Sequence, residues 1–179
     1  RKVIVGLGNP GIKYAKTRHN AGWLLINHLA IELAQENDQK ISWRTKKDWS
    51  AEIAEVGDIL LVKPQTMMND SGRSVRAILD YYNLLTEDLG NSLLIIHDEL
   101  DLPMGSARWS TDSRSAGHNG VQSIIDHLGT QKFNRLRIGI QPVKKTTDTI
   151  EYVLKNFSAA ELKNLKEIDL TEVKRFINN

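Results

Sequence analysis

Residues 3–11 read Val-Ile-Val-Gly-Leu-Gly-Asn-Pro-Gly, a β-branched run that stops at a glycine-rich loop. A short apolar run bounded by turn residues is typical of a buried strand. The loop matches the Gly-x-Gly-x-x-Gly pattern of dinucleotide-binding sites, but that pattern also requires a helix to begin at the glycines. Here apolar residues recur at helical spacing only from Trp23, which predicts a helix over about residues 20–36 and disfavours a nicotinamide cofactor.

Strands and helices alternate along the rest of the chain. The predicted elements are strands at 3–5, 59–62, 93–96 and 135–140, a hairpin of 41–46 and 49–56, a polar strand end and turn at 98–103, and helices over 20–36, 71–82, after Gly120 and from Ser158. This alternation predicts an α/β fold: a single domain over residues 1–179, with a twisted, mixed, mostly parallel sheet flanked by helices on both faces.

The composition excludes several classes of site. The chain has 179 residues, of which 40% are hydrophobic and 26% charged, values typical of a globular protein. It has no cysteine, which excludes disulfides, thiolate metal sites and a cysteine nucleophile. No apolar run approaches the roughly 18 residues of a membrane span, and the N-terminus does not have the pattern of a signal peptide. We therefore expect a cytoplasmic protein without a membrane partner, and a start at Arg1 suggests a trimmed chain.

The charges are unevenly distributed along a nearly neutral chain. The net charge is +2, yet two basic segments, 1–50 and 108–145, surround an acidic segment, 51–107. If the basic segments form one face, that face would attract a polyanion such as nucleic acid. On charge alone, ordinary solvated surface charge is the favoured explanation.

Two segments carry titratable groups in positions suited to a site. His19 lies just before the first predicted helix, whose positive end disfavours imidazolium, and a neutral imidazole can act as a general base. Asp98 follows a buried strand and could orient a histidine through Nδ1. The alternatives are a surface histidine, a structural acidic cluster, or a metal site. The last lacks both cysteines and a His-Glu-x-x-His pattern.

Three asparagines lie in loops or at helix starts: Asn9, Asn69 and Asn119. Each alone is typical of a turn or a helix cap. Together with His19 and Asp98 they would form a pocket with one base, one orienting carboxylate and several neutral donors. No serine lies in a Gly-x-Ser-x-Gly pattern, so a base without a protein nucleophile indicates activated water and hydrolysis of a reactive bond such as an ester.

In order and spacing, these segments together resemble the bacterial-type peptidyl-tRNA hydrolase family. The matching segments are 5–11, 17–22, 63–64, 68–72, 97–105, 117–120, 128–129 and 133–139. The resemblance covers about residues 3–157, and the C-terminal helix fits only loosely. It implies an enzyme of translation that cleaves the ester between a peptide and the 3′-terminal ribose of tRNA, with no metal or organic cofactor. We expect the protein to be a monomer.

The resemblance also implies roles for individual residues. His19 would activate water, and Asp98 would hold His19 in its basic form. Asn9 would recognise the peptidyl group and reject free aminoacyl-tRNA. Asn69 and Asn119 would bind the 3′ end and the peptide backbone and support the oxyanion. Tyr14 and Met67 would line the site, and His118 would shape the same region.

The chain departs from the family pattern before Gly117. That loop is usually glycine-rich with a lysine near its start, whereas residues 109–116 here contain no glycine and Ser110 stands at the lysine position. This predicts a stiffer loop, with phosphate contacts from one or more of Arg108, Arg114, Arg135 and Arg137. Met67 replaces a frequent aromatic residue but keeps an apolar wall. The rival functions are a non-catalytic RNA-binding protein, which has no need for an oriented base, and a nicotinamide oxidoreductase.

Overall fold

The computed structural model describes residues 1–85, 88–144 and 147–179, and a seven-stranded sheet lies at the centre of the described chain. The strands are β1 (Lys2–Gly6), β2 (Arg44–Lys46), β3 (Ala51–Val56), β4 (Ile59–Pro64), β5 (Leu93–Pro103), β6 (Ala107–Ser110) and β7 (Asn134–Gln141). The helices are α1 (Ala21–Glu36), α2 (Ser71–Tyr81), α3 (Asn119–Leu128), α4 (Thr149–Val153), α5 (Ala159–Lys166) and α6 (Thr171–Asn178). None of these helices has the length and apolarity that a bilayer crossing requires.

The sheet order is β2-β3-β4-β1-β5-β7-β6. The four central strands, β4, β1, β5 and β7, run parallel to one another, and antiparallel pairing adds β3 and β2 at one edge and β6 at the other. The predicted α/β class with a mixed sheet is confirmed, as is the hairpin before Ile59.

Two apolar cores fill the spaces between the sheet and its helices. Ile4 of β1 points to the face covered by α1, α5 and α6, and its neighbours Val3 and Val5 point to the face covered by α2 and α3. This alternation is the two-residue period of a strand buried on both sides. Helices therefore cover both faces, as predicted.

The glycine-rich loop serves close packing between β1 and α1. A side chain at Gly22 would approach the carbonyl oxygen of Ile96 to 2.3 Å and the nitrogen of Leu7 to 2.4 Å, so α1 begins directly against the strand ends. Two single 3-10 turns, Ile12–Tyr14 and Arg18–Asn20, separate the loop from α1. The glycines therefore do not open a helix whose N-terminus could bind a pyrophosphate, which is the feature that the dinucleotide pattern needs.

Three predictions of local structure were wrong. Residues 98–103 continue β5 instead of forming a turn, because Asp98 and Glu99 pair with Ile138 and Gly139 of β7. Trp109 and Ser110 belong to β6, so the predicted loop over 109–116 is shorter. The single C-terminal helix is two helices: Ser158 and Glu161 form the predicted capping box of α5, and α6 follows.

Candidate active site

A cleft of about 520 Å³ lies at the carboxyl ends of the central strands. In parallel sheets ligands bind at this edge, because loops from several strands meet there. The cleft brings together seven residues that the sequence had singled out: Asn9, His19, Met67, Asn69, Asp98, His118 and Asn119. They come from the loop after β1, the turn before α1, the segment between β4 and α2, β5 itself, and the start of α3.

His19 and Asp98 form the polar centre of the cleft. The Nδ1 atom of His19 lies 3.0 Å from each carboxylate oxygen of Asp98. The Asp98 side chain is only 3% exposed, against 13% for His19. When Nδ1 carries the proton and donates it to Asp98, the lone pair of Nε2 is left available as a base.

The charges of this pair reinforce each other. Burial alone would lower the pKa of His19, but the charge of Asp98 and its hydrogen bond raise that pKa above the ordinary value of 6.5. Burial alone would raise the pKa of Asp98, but the electrostatic influence of the neighbouring His19 and His118 and a hydrogen bond from each hold that pKa well below its usual range. Asp98 therefore stays ionised at neutral pH.

His118 is a second hydrogen-bond donor to the same carboxylate. Its Nε2 atom lies 2.8 Å from Asp98 Oδ1, while its Nδ1 atom caps α3 by accepting from the backbone N–H groups of Gly120 (3.1 Å) and Val121 (3.3 Å). Since Nδ1 accepts, the proton must lie on Nε2, which donates it to Asp98. Sequence reasoning placed His118 near the site but missed this link; its position before a helix was the available signal.

His97 supports Asp98 from behind. Its Nδ1 atom donates to the backbone carbonyl of Asp98 over 2.7 Å, and its ring centre lies 4.8 Å from that of His118. The side chain is fully buried, and burial, with a further contribution from His118, lowers its pKa well below 6.5. His97 is therefore neutral and fixes the backbone that carries the carboxylate.

His19, Asp98 and His118 also have ligand atoms close enough for a metal, all within 4.8 Å of one another. For His118 to ligate through Nε2, its proton would have to move to Nδ1, where two backbone N–H groups already point. The donor set as arranged therefore suits a hydrogen-bonded carboxylate better than a cation.

The orientation of Asn9 follows from its partners. Its Oδ1 atom accepts from the backbone N–H of Met68 over 2.7 Å. The side-chain amide of Asn20 holds the backbone of Asn9 at both ends, accepting from its N–H (2.9 Å) and donating to its carbonyl (3.0 Å). The Nδ2 group of Asn9 is thus the one available to donate into the cleft. Sequence reasoning gave Asn20 no role, although a buried asparagine beside a site histidine could have signalled one.

The other amides and the apolar wall complete the cleft. Asn69 and Asn119 are exposed, and neither side chain makes a hydrogen bond with the described residues, so both amides are free to donate to a ligand. The apolar lining includes three exposed or half-buried side chains, Met67, Ile150 and Leu154. The last two come from the α4 segment, which sequence reasoning did not predict.

Five predicted site residues do not line the cleft. Tyr14 lies in the turn Ile12–Tyr14, where the Nζ atom of Lys13 is 4.8 Å from the centre of its ring. Arg108 and Arg114 are exposed outside the cleft, and Arg137 pairs with Glu99 over 3.1 Å.

Arg135 is 2% exposed and donates to the Ser113 hydroxyl and the Arg114 carbonyl. A phosphate contact from Arg135 is therefore a wrong prediction: its guanidinium is used to hold the segment before α3. This internal use explains why a charged residue lies on a buried strand.

Comparison with known proteins agrees with this geometry. The family model described as peptidyl-tRNA hydrolase matches residues 3–178. The chain is 42% identical over 174 residues to the peptidyl-tRNA hydrolase of Lactiplantibacillus plantarum, covering 95% of this chain and 88% of that protein. It is 44% identical over 170 residues to that of Dichelobacter nodosus, covering 93% and 85%.

Solved structures give the same result. A crystal structure of peptidyl-tRNA hydrolase in complex with N-propanol superposes with a TM-score of 0.83 at 33% identity, covering 99% of this chain and 88% of that one. The enzyme of Acinetobacter baumannii superposes with a TM-score of 0.76 at 32% identity, covering 99% and 92%.

Proposed function

The chain belongs to the peptidyl-tRNA hydrolase family, and from this premise we propose that it cleaves peptidyl-tRNA with water activated by His19. It is a hydrolase that acts on the ester bond of peptidyl-tRNA, in translation. The observation that carries the mechanism is the pairing of His19 Nδ1 with both oxygens of a buried, ionised Asp98. The monomeric state, the cytoplasmic location, the extent of the domain and the lack of a metal stay predictions of the sequence.

The proposed reaction is a general-base hydrolysis. A water held at Nε2 of His19 gives up a proton as its oxygen bonds to the ester carbonyl carbon. The resulting oxyanion accepts hydrogen bonds from the side-chain amides of Asn69 and Asn119. The imidazolium, stabilised by Asp98, then returns the proton to the departing 3′ oxygen of the ribose. Removing one oxyanion donor typically costs about 10²–10³ in rate, and removing a general base costs roughly 10²–10⁴.

Asn9 supports selectivity for the peptidyl substrate. Since its Oδ1 is occupied by the Met68 N–H, it presents the Nδ2 donor to the cleft. A donor binds the carbonyl oxygen of a peptide bond, which every peptidyl-tRNA carries near the ester. A free aminoacyl-tRNA offers an ammonium there instead, and two donors cannot bond to each other. The orientation of one amide thus favours the blocked substrate.

The test is the release of N-acetyl-amino acid from N-acetyl-aminoacyl-tRNA, measured beside the unblocked aminoacyl-tRNA. We expect rapid cleavage of the blocked substrate only, and a loss of roughly 10²–10⁴ in kcat for His19→Ala. The matched control is His28→Ala, because His28 lies on α1 with its Nε2 atom 3.2 Å from Glu32 and does not line the cleft. Near-normal turnover by His19→Ala would sink the assignment of the base, and tight tRNA binding without cleavage would favour a non-catalytic RNA-binding protein.

A further inference from the structure

The helix α4 forms an apolar side of the cleft. Ile150, Val153 and Leu154 line it, and Ile150 remains 73% exposed. A five-residue helix is far too short to be stable alone, because most of its backbone groups have no partner within the helix. Its position therefore depends on contacts with the rest of the protein.

Arg18 supplies those contacts from the turn that carries His19. Its Nη2 atom donates to both carboxylate oxygens of Glu161 in α5, over 3.3 and 3.1 Å. Its guanidinium carbon lies 4.4 Å from the centre of the Tyr152 ring in α4. Its backbone N–H donates to the carbonyl of Lys155 over 3.0 Å, just after α4. The side chain is only 12% exposed, so solvent competes little for these interactions.

Both partners of Arg18 are themselves fixed. The Tyr152 hydroxyl donates to the carbonyl of Ile140 at the end of β7, over 2.7 Å. Glu161 also accepts from the backbone N–H of Ser158 over 2.7 Å, as part of the capping box of α5. Arg18, Tyr152 and Glu161, here called the clamp, thus join α4 to the sheet, to α5 and to the turn of the general base.

We propose that Arg18 is a positioning residue: it holds α4 against the cleft, so that the apolar side of α4 contacts the side chain of the esterified amino acid. Arg18 and His19 are consecutive residues of one 3-10 turn, so the clamp fixes this wall relative to the base itself. An apolar wall beside the ester-cleaving group is suited to an apolar amino-acid side chain. The contact with the substrate side chain rests on the proposed function, whereas the positioning of α4 by Arg18 does not.

The first experiment compares the wild type with Arg18→Gln by hydrogen exchange and by kinetics. We expect amide exchange over residues 149–156 to become about tenfold faster, the scale of one lost charge-assisted hydrogen bond. We expect KM for N-acetyl-leucyl-tRNA to rise about tenfold. KM for N-acetyl-glycyl-tRNA, which has no side chain to contact the wall, and kcat for both substrates should change less than about twofold.

A second variant tests the clamp from the side of α4. Tyr152→Leu removes the ring and the hydroxyl at a distance from His19, so it keeps the proposal testable if Arg18→Gln fails to fold. If the clamp acts as a unit, Arg18→Gln/Tyr152→Leu should resemble either single variant instead of showing the sum of their effects. The matched control is Arg175→Gln, because Arg175 pairs with Glu172 on α6 and does not line this cleft.

Three results would overturn the proposal: unchanged exchange over 149–156, an equal rise of KM for both substrates, or additive effects in the double variant. These outcomes differ from a failure of the proposed function. Hydrogen exchange reports the clamp without any turnover. If His19→Ala were active, the assignment of the base would be wrong, but the exchange result for the clamp would still hold.

Discussion

Asp98 is the residue on which the site depends, because two histidines donate to one buried carboxylate. His118 holds its proton on Nε2 since its other nitrogen caps α3, and it therefore acts as a fixed donor. No described residue makes a hydrogen bond to Nε2 of His19, so this nitrogen can gain and lose a proton during the reaction. The same carboxylate thus joins one histidine whose tautomer is set by the helix cap to one whose Nε2 faces the cleft.

The raised pKa of His19 predicts the pH dependence of turnover. The neutral imidazole is the active form, so kcat/KM should fall as the pH drops through the pKa of His19, at a midpoint above 6.5. In Asp98→Asn the carboxylate charge is gone and the effect of burial remains, so this pKa should fall and the acid limb should move to lower pH. The plateau should fall as well, because the ring is no longer held by a charged acceptor.

The measurement is kcat/KM against pH for the wild type and Asp98→Asn. An NMR titration of the His19 ring in both proteins is the control, since it reports the same pKa without turnover. If the acid limb stays in place while the NMR pKa moves, another group controls the limb and the assigned base is wrong.

At the scale of elements, the start of α3 has two functions that substitutions can separate. An asparagine side chain can cap α3 but is too short to reach Asp98, and an alanine side chain can neither cap the helix nor reach Asp98. Both variants lose the hydrogen bond to Asp98, so we expect His118→Ala to be less stable than His118→Asn by the contribution of the cap, roughly 0.5–2 kcal/mol of the free energy of unfolding. Both variants should lose activity to a similar degree, because both remove a donor to Asp98.

Chemical denaturation and turnover of the two variants check this prediction. Should His118→Asn be as active as the wild type while His118→Ala is not, His118 would act through the helix cap alone. Equal stability of His118→Ala and His118→Asn would show that the cap contributes little to α3.

The elements that the sequence predicted well are those with a strong apolar pattern. Three elements were predicted from such patterns: β1 from Val3–Val5, β4 from Ile59–Val62, and α1 from the apolar spacing that begins at Trp23. β5 was cut short because its apolar run ends at Ile96 and the next three residues, His97, Asp98 and Glu99, are polar although they are buried. β6 and α4 were missed because an exposed edge strand and a five-residue helix have too few buried positions to show a period.

At the scale of the molecule, the site collects side chains from six segments between Asn9 and Leu154. Asn9 and Asp98 follow predicted parallel strands in the chain, so their place at the carboxyl edge of the sheet was predictable. The orientation of the Asn9 amide was not, because it depends on the N–H of Met68, 59 residues away. The roles of the three asparagines came from the resemblance to a family. The comparisons confirm that the chain belongs to this family, and the role of each asparagine stays a prediction.

The charge of the whole molecule predicts how substrate binding depends on salt. Contacts to tRNA phosphates release counterions, so KM should rise steeply with salt concentration while kcat stays nearly constant. Among the four arginines proposed for phosphates, Arg135 is buried and Arg137 is paired, which leaves Arg108 and Arg114 as the exposed ones. If each contacts one phosphate, Arg108→Gln and Arg114→Gln should each lower the slope of log KM against log salt by about one.

Arg175→Gln on α6 is the matched control, since it removes an equal charge away from the cleft and should leave the slope unchanged. Steady-state kinetics across a series of salt concentrations provide the slopes. A KM that does not respond to salt would mean that the basic segments form no tRNA-binding face. An unchanged slope in both the Arg108 and the Arg114 variant would assign the phosphate contacts to other basic residues, among which Lys13 and Lys16 are the exposed pair nearest to His19 in the chain.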